Sequence, residues 1–258
     1  MIHIYSNKIL LCILLGSLLI FAAIAPAHPA EIVNTDARTQ QSRCHLISTF
    51  KTFQENNQTI FEIKTSGRGA FYKYKNAQIL VESRLGTQGD FLKPMTTMIR
   101  IVDLDDHRAL TRETRFDYEK KKIFIRSFDE KTKVLKNYVF RIKGPTVDYA
   151  SLFYFLKPYI ARLAKNKIQH FYLLSFESRM YGVNLKFVKK EILNLPGGRR
   201  NSVKVRLIAD FVKVGEAVFD KIIPPTFIWF QDQSPYAWLK YQGMETGYPS
   251  PYIIAYLK

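Results

Sequence analysis

The stretch VDYASLFYFLKPYIAR, residues 147–162, decides the predicted fold because its large apolar side chains recur at the spacing of a buried helix. Asp148 is a suitable N-cap, since its carboxylate can accept hydrogen bonds from the free N–H groups of the first turn. Pro158 is expected to end or kink the helix near Lys157. So dense a group of aromatic residues must pack against other elements, and the surrounding segments have the pattern of strands.

The rest of the chain predicts β-strands joined by short turns. Residues 203–214, for example, alternate apolar and polar side chains, as a strand with one buried face does. Glycines predict a turn at residues 66–69 and a loop at residues 86–94. Short connections favour antiparallel neighbours, because parallel strands need a long crossover.

Together these segments predict a mainly β protein with a curved antiparallel sheet, or half-barrel, of about a dozen strands and one helix against its concave face. A two-sheet β-sandwich is the alternative. We expect residues 1–30 to be a signal peptide, residues 31–44 a flexible leader, and residues 45–258 a single antiparallel β domain.

The first 30 residues have the features of a secretory signal. Lys8 precedes an apolar run at residues 9–24, and small residues allow cleavage after Ala27 or Ala30. An uncleaved anchor in the inner membrane is the alternative, because the run approaches spanning length. We therefore expect a periplasmic protein with Cys44 as its only thiol and no internal disulfide.

The chain is strongly basic, with 39 lysines and arginines against 22 aspartates and glutamates and a formal net charge of +17. Such a balance favours anionic partners, and for an exported chain the expected one is an anionic membrane surface. Nucleic acid is not an expected partner, because the signal directs the chain out of the cytoplasm. A solvated basic surface is the simpler interpretation, since the bases are dispersed among strand residues.

No catalytic constellation is found in the sequence. A Gly-x-Ser-x-Gly motif is absent, and Ser151 lies in the predicted helix without flanking glycines. Cys44 and His45 are adjacent, but neighbouring strand residues point to opposite faces and cannot pair as nucleophile and base. We therefore expect a protein that is not an enzyme and has no cofactor.

Metal and phosphate sites are not predicted either. The histidines are scattered, and no paired-cysteine or His-Glu-x-x-His motif is present. Asp103, Asp105 and Asp106 cluster around a hairpin turn but lack the glycine and distal glutamate of a calcium loop. The run LPGGRR at residues 195–200 could meet a phosphate, yet a hairpin connection is the simpler interpretation.

The aromatic residues are the remaining signal, since nineteen Phe, fifteen Tyr and two Trp make up 14% of the chain. A curved sheet with a helix in its concavity can leave an apolar groove that fits an acyl chain. The candidate lining residues are Phe153, Phe155, Tyr159, Phe171 and Trp229. The alternative is that all five belong to the packed core, which sequence alone does not distinguish from a groove.

Three stretches carry a resemblance to a family. Residues 148–156, DYASLFYFL, fit an Asp-x-x-Ser-x-x-Tyr pattern, and residues 226–232, TFIWFQD, contain an Ile-Trp-hydrophobic-x-Asp pattern. Pro235 and a strand leading to Gly243 or Gly247 follow. Over most of the chain after residue 70, this order resembles the bacterial exported proteins of the domain of unknown function 3108 family.

The resemblance implies a periplasmic, mostly antiparallel β protein similar in architecture to the half-barrel carriers of lipoproteins or lipids, without enzymatic activity. We therefore expect a non-catalytic envelope protein that binds a lipid, a lipoprotein acyl chain or another amphipathic ligand in an apolar groove. A structural or protein-interaction role in the cell envelope, without a ligand, is the alternative.

Overall fold

The computed structural model describes residues 30–89, 91–163, 168–210, 224–245 and 251–258. The predicted signal peptide, apart from Ala30, lies outside the described residues.

The described chain contains fifteen strands and one helix. The first eight strands are β1 (Ala30–Asp36), β2 (Ser42–Glu55), β3 (Gln58–Phe71), β4 (Tyr74–Gln88), β5 (Phe91–Asp103), β6 (Arg108–Asp117), β7 (Lys122–Asp129) and β8 (Val134–Arg141). Strand β9 (Thr146–Asp148) leads through a 3₁₀ turn (Tyr149–Ser151) into helix α1 (Leu152–Leu163). The later strands are β10 (Gln169–Leu174), β11 (Met180–Leu195), β12 (Gly198–Ala209), β13 (Thr226–Gln231), β14 (Trp238–Met244) and β15 (Tyr252–Leu257).

All fifteen strands belong to one sheet, ordered β8-β7-β6-β5-β4-β3-β2-β1-β15-β14-β13-β12-β11-β10-β9. The predicted curved sheet with one packed helix is therefore confirmed, and the two-sheet sandwich is wrong. Every neighbouring pair is antiparallel except β9 and β10, which are parallel. This exception follows from the helix, because α1 supplies the crossover that a parallel pair requires.

The sheet curls so far that its two ends overlap without backbone pairing between β8 and β9. Thr97 of β5 donates a hydrogen bond from Oγ1 to Oδ2 of Asp148, at the end of β9, over 2.6 Å. Arg112 of β6 donates from Nη2 to the carbonyl of Ser175, just after β10, over 3.2 Å. Leu174 completes the overlap by packing on buried residues of β6 and β7, namely Phe116, Ile123 and Ile125. Side chains, not a hydrogen-bonded ladder, thus connect the two ends of this open sheet.

Helix α1 fills much of the interior of the curl. Its buried residues are Leu152, Phe155, Leu156, Tyr159, Ile160 and Leu163. They share one apolar cluster with the inward-facing side chains of the second half of the sheet, including Val183, Leu185, Val205, Ile228 and Phe230. We call the sheet face that meets α1 the inner face, and the opposite one the outer face.

The predicted end of the helix near Lys157 is wrong, because α1 continues past Pro158 to Leu163. A proline inside a helix removes one backbone hydrogen bond and costs about 3 kcal/mol. Three residues after the proline, Tyr159, Ile160 and Leu163, are at most 5% exposed. Their burial against the sheet offsets the lost bond.

The predicted flexible leader at residues 31–44 is also wrong. Residues 31–36 belong to β1 and residues 42–44 to β2; β1 lies between β2 and β15 and joins the N-terminal and C-terminal halves of the sheet. Ile32 and Asn34 of β1 are buried on the inner face. The segment is ordered by backbone pairing on both sides, which a seven-residue strand of mixed polarity does not reveal in the sequence.

The turn predicted at residues 66–69 lies instead inside β3, a continuous strand of 14 residues. Its glycines serve a close approach to β2. A Cβ on Gly67 would lie 2.0 Å from the carbonyl oxygen of His45, so no larger residue fits there. The loop predicted at residues 86–94 is likewise shorter, because β4 extends to Gln88 and β5 begins at Phe91.

The Asp148 carboxylate serves both as the predicted N-cap and as a link across the overlap. Oδ1 accepts the Ser151 N–H at 2.8 Å, while Oδ2 accepts the Thr97 hydroxyl. We expect Asp148→Ala to lower the free energy of unfolding by about 2–4 kcal/mol, because it removes the cap, leaves the buried Ser151 N–H unsatisfied and leaves Thr97 only its longer contact with Ser83, at 3.4 Å. Asp148→Asn keeps an acceptor for Ser151 and should lose less. Denaturant unfolding measures both, and equal losses would contradict the capping role.

Candidate functional site: an apolar cavity beside the start of the helix

A cavity of about 290 Å³ lies inside the curl, beside the 3₁₀ turn and the first turn of α1. Its wall is mostly apolar and comes from inner-face residues of both halves of the sheet together with the helix, including Ile32, Leu46, Val81, Phe153, Tyr181 and Trp238. The strands bring these residues together because alternate positions of each strand point to the inner face.

Phe153 is the candidate lining residue that the structure places at this cavity. Its ring stacks on Trp238 of β14, with centroids 4.6 Å apart and an angle of 19° between the planes. Tyr241 approaches the same ring edge-on at 5.7 Å. These three rings therefore make a rigid aromatic part of the wall.

Phe155, Tyr159 and Phe171 lie in the packed core and do not line the cavity. The Phe155 ring contacts Tyr159 at 5.2 Å and Phe171 at 5.6 Å. Phe171 is completely buried. These three residues therefore occupy core positions, as the alternative interpretation predicts.

Trp229 lies on the outer face, so its assignment to the groove is corrected. Its neighbours along β13, Ile228 and Phe230, point to the inner face, and alternation turns the indole outward. The indole N–H donates to Oε1 of Glu191 at 2.6 Å. The ammonium groups of Lys204 and Lys240 lie 4.7 and 4.9 Å from its ring centroid. These contacts bury Trp229 beneath charged side chains.

One region of the cavity wall is polar, and no pattern in the sequence predicts it. Glu245, just after β14, lines the cavity and is 1% exposed. Its Oε2 accepts the backbone N–H of Tyr72 at 2.6 Å and lies 3.5 Å from the Arg43 guanidinium. Burial raises the pKa of this carboxyl, although the Tyr72 N–H and Arg43 act in the opposite direction. No motif surrounds Glu245, so only the three-dimensional arrangement identifies it.

Asn34 of β1 is the second polar residue of the wall and is 5% exposed. Its Oδ1 and the Oε1 of Glu245 are buried side-chain atoms without a hydrogen-bond partner. Cys44 stands opposite Asn34 in the β1–β2 ladder, and its thiol pKa, raised to about 12, is affected mainly by burial and next by the charge of Glu245. Arg43, the residue before Cys44, lies 3.5 Å from Glu245, so the two unsatisfied oxygens belong to the same end of the cavity.

The other groups considered for chemistry have structural roles. Cys44 is buried, whereas His45 points outward and contacts Glu31, so the strand separates them as expected. Asp105 accepts from the side chain of Asn76 at 2.9 Å in a polar turn. Residues 195–200 connect β11 and β12 as a hairpin. Among the described residues, no group of three or more metal-ligating side chains could hold an ion.

The architecture defines the class of the protein: an open β-barrel made of one curled sheet, with a helix inside it and a cavity beside the helix. Within the described ranges no helix has the length and apolar character needed to span a membrane.

The chain belongs to the family described as Protein of unknown function (DUF3108), whose model matches residues 46–246. A solved structure with a similar fold is a β-barrel-like protein of the domain of unknown function DUF1849 from Brucella abortus. The two share 10% sequence identity at a TM-score of 0.50, over 91% of this chain and 96% of that chain. This likeness concerns the fold alone. No curated protein matches the sequence.

Proposed function

We propose that this protein is an exported, non-catalytic envelope protein that binds a lipid or another amphipathic ligand in the cavity beside α1. The observation that carries the proposal is the cavity itself, with about 290 Å³ of space and a mostly apolar wall inside the curled sheet. Such a space favours an apolar chain, because burying apolar surface there removes it from water.

Two further features support this function. The first 30 residues have the pattern of an export signal, which supports a periplasmic location for the mature protein, with a retained inner-membrane anchor as the alternative. The described residues that line the cavity include no histidine and no cysteine, and we therefore propose binding rather than catalysis as the activity.

Titration with an apolar dye that fluoresces in a dry environment tests the proposal. Saturable binding at one site per chain, reversed by an added acyl compound, is the expected result. Absence of saturable binding would favour the alternative, a structural or protein-interaction role in the envelope without a ligand.

An anionic membrane surface is the partner that we propose for the outer face. Cations stand directly opposite one another across β11 and β12, with Lys186 beside Arg206 and Lys189 beside Lys204. Lys240 of β14 extends this group past the Trp229 ring. Like charges in register are unfavourable in isolation, and an anionic surface would remove that cost.

We expect the double substitution Lys204→Glu with Lys240→Glu to weaken binding to vesicles that contain phosphatidylglycerol by at least about tenfold at low salt. Lys121→Glu with Lys133→Glu is the matched control, since it makes the same charge change at exposed turns near the β8 edge. Vesicle co-sedimentation measures both. Equal loss in the two double variants would show that net charge, not this face, determines binding.

A further inference from the structure

The polar end of the cavity presents hydrogen-bond acceptors. Oε2 of Glu245 is occupied by the Tyr72 N–H at 2.6 Å, which leaves Oε1 as the oxygen without a partner. Oδ1 of Asn34 is the second unsatisfied acceptor in the wall. Leaving a buried polar atom unpaired costs about 1–3 kcal/mol, so a ligand that supplies donors here would be favoured by about that amount.

Whether the cavity favours a donor or an acceptor in the head group of a ligand depends on Glu245. An amide such as Asn34 can turn to present either its oxygen or its NH₂ group. In its ionised form, which the Tyr72 N–H and the Arg43 guanidinium favour against the effect of burial, the Glu245 carboxylate offers only acceptors. A carboxylate or phosphate head group would therefore place its own acceptor oxygens against those of Glu245. A hydroxyl head group can instead donate a hydrogen bond to Glu245.

We propose that the cavity selects amphipathic molecules whose head group is a neutral hydrogen-bond donor, such as a hydroxyl, over those with an anionic head. Oε1 of Glu245 and Oδ1 of Asn34 receive the donated hydrogen bonds, and the apolar wall receives the chain. This inference rests on the proposed function, because it names the class of ligand for the same cavity.

Two cations could favour the opposite choice: Arg43 lies 3.5 Å from Glu245 and already pairs with that carboxylate, and Arg206 belongs to the cavity wall. The neighbours of Arg206 in register are Lys186 of β11 and Phe227 of β13, and both occupy outward-facing positions. The Arg206 guanidinium therefore belongs to a different part of the structure from the Glu245 end. An anionic head group held by either arginine is the competing outcome that the experiment must detect.

Decanol and decanoate have the same chain length and differ in the head group, so they isolate its contribution. At about pH 8 decanoate is ionised, since an ordinary carboxyl pKa is near 4. We expect full-length protein to bind decanol about tenfold more tightly than decanoate, as measured by displacement of the apolar dye.

Glu245→Gln should abolish this preference. The Tyr72 N–H needs an acceptor, so the amide oxygen will take the place of Oε2 and the NH₂ group will take the place of Oε1. The variant then presents a donor, and decanoate should gain on decanol by about tenfold relative to the unmodified protein. Glu113→Gln, on the exposed outer face of β6, is the matched control and should leave the ratio unchanged.

A second variant, Asn34→Ala, keeps the proposal testable if Glu245→Gln does not fold; it should reduce the decanol preference without abolishing it. Equal binding of the two compounds, or tighter binding of decanoate, would overturn the inference while leaving a ligand-binding function in place. If neither compound displaces the dye, the proposed function fails and the inference fails with it.

Discussion

Replacement of Val81 by tryptophan is expected to reduce lipid binding by at least about tenfold, equivalent to about 1.4 kcal/mol. Val81 lines the cavity from β4, and its partners in register, Thr65 and Ile99, are also on the inner face. An indole at this position must occupy space that a ligand chain would fill. The measurement is dye titration of the purified variant.

The neighbouring residue provides the control. Leu80 pairs with Ser66 and Arg100 on the outer face, so Leu80→Trp adds the same ring on the other side of the sheet. It should leave binding unchanged. Loss of binding in both variants would indicate general disturbance of β4, and unchanged binding in Val81→Trp would place the ligand elsewhere.

Phe171→Ala is expected to lower the free energy of unfolding by about 3–5 kcal/mol, the usual cost of removing a fully buried aromatic side chain. Phe171 of β10 is completely buried, and its ring contacts Phe155 of the helix. Truncation leaves a cavity in the part of the core that holds α1 against the sheet. Equilibrium denaturant unfolding gives the value directly.

Phe153→Ala separates the core from the cavity wall. Phe153 is only partly buried and already borders open space, so its truncation should cost less stability than that of Phe171. It also removes the ring stacked on Trp238 and should therefore change ligand affinity. A larger stability loss for Phe153→Ala than for Phe171→Ala would contradict this assignment of the two residues.

Periodicity was sufficient to predict the elements that one segment determines by itself. The amphipathic helix, its Asp148 cap and the alternating strands all follow from side-chain spacing, and they define a curled sheet around a helix. Burial against distant parts of the chain explains why the helix continues past Pro158. Strand β1 is ordered by partners at both ends of the sequence, β2 and β15, which local pattern does not register.

The candidate site was predicted less completely, because a groove and a core draw on the same apolar residues. Phe153 and Phe155 are two positions apart in the chain, yet one borders the cavity and the other lies in the packed core. Alternation alone does not assign Trp229 to a face, because Phe227 and Trp229 make one side of β13 as apolar as Ile228 and Phe230 make the other. Glu245 carries no signal in the sequence, since its role depends on Tyr72 and Arg43, about 170 and 200 residues away.

The most direct test of a ligand-binding cavity is native mass spectrometry of the full-length protein purified from the envelope of its own cell. We expect the unmodified protein to carry the added mass of one amphipathic molecule per chain. The Val81→Trp variant should lack this added mass, and the Leu80→Trp variant should retain it. Extraction should identify that molecule as one with a hydroxyl-bearing head group. If no lipid can be extracted, and the unmodified protein and both variants give only the mass of the chain, the proposal that the cavity binds a ligand is wrong.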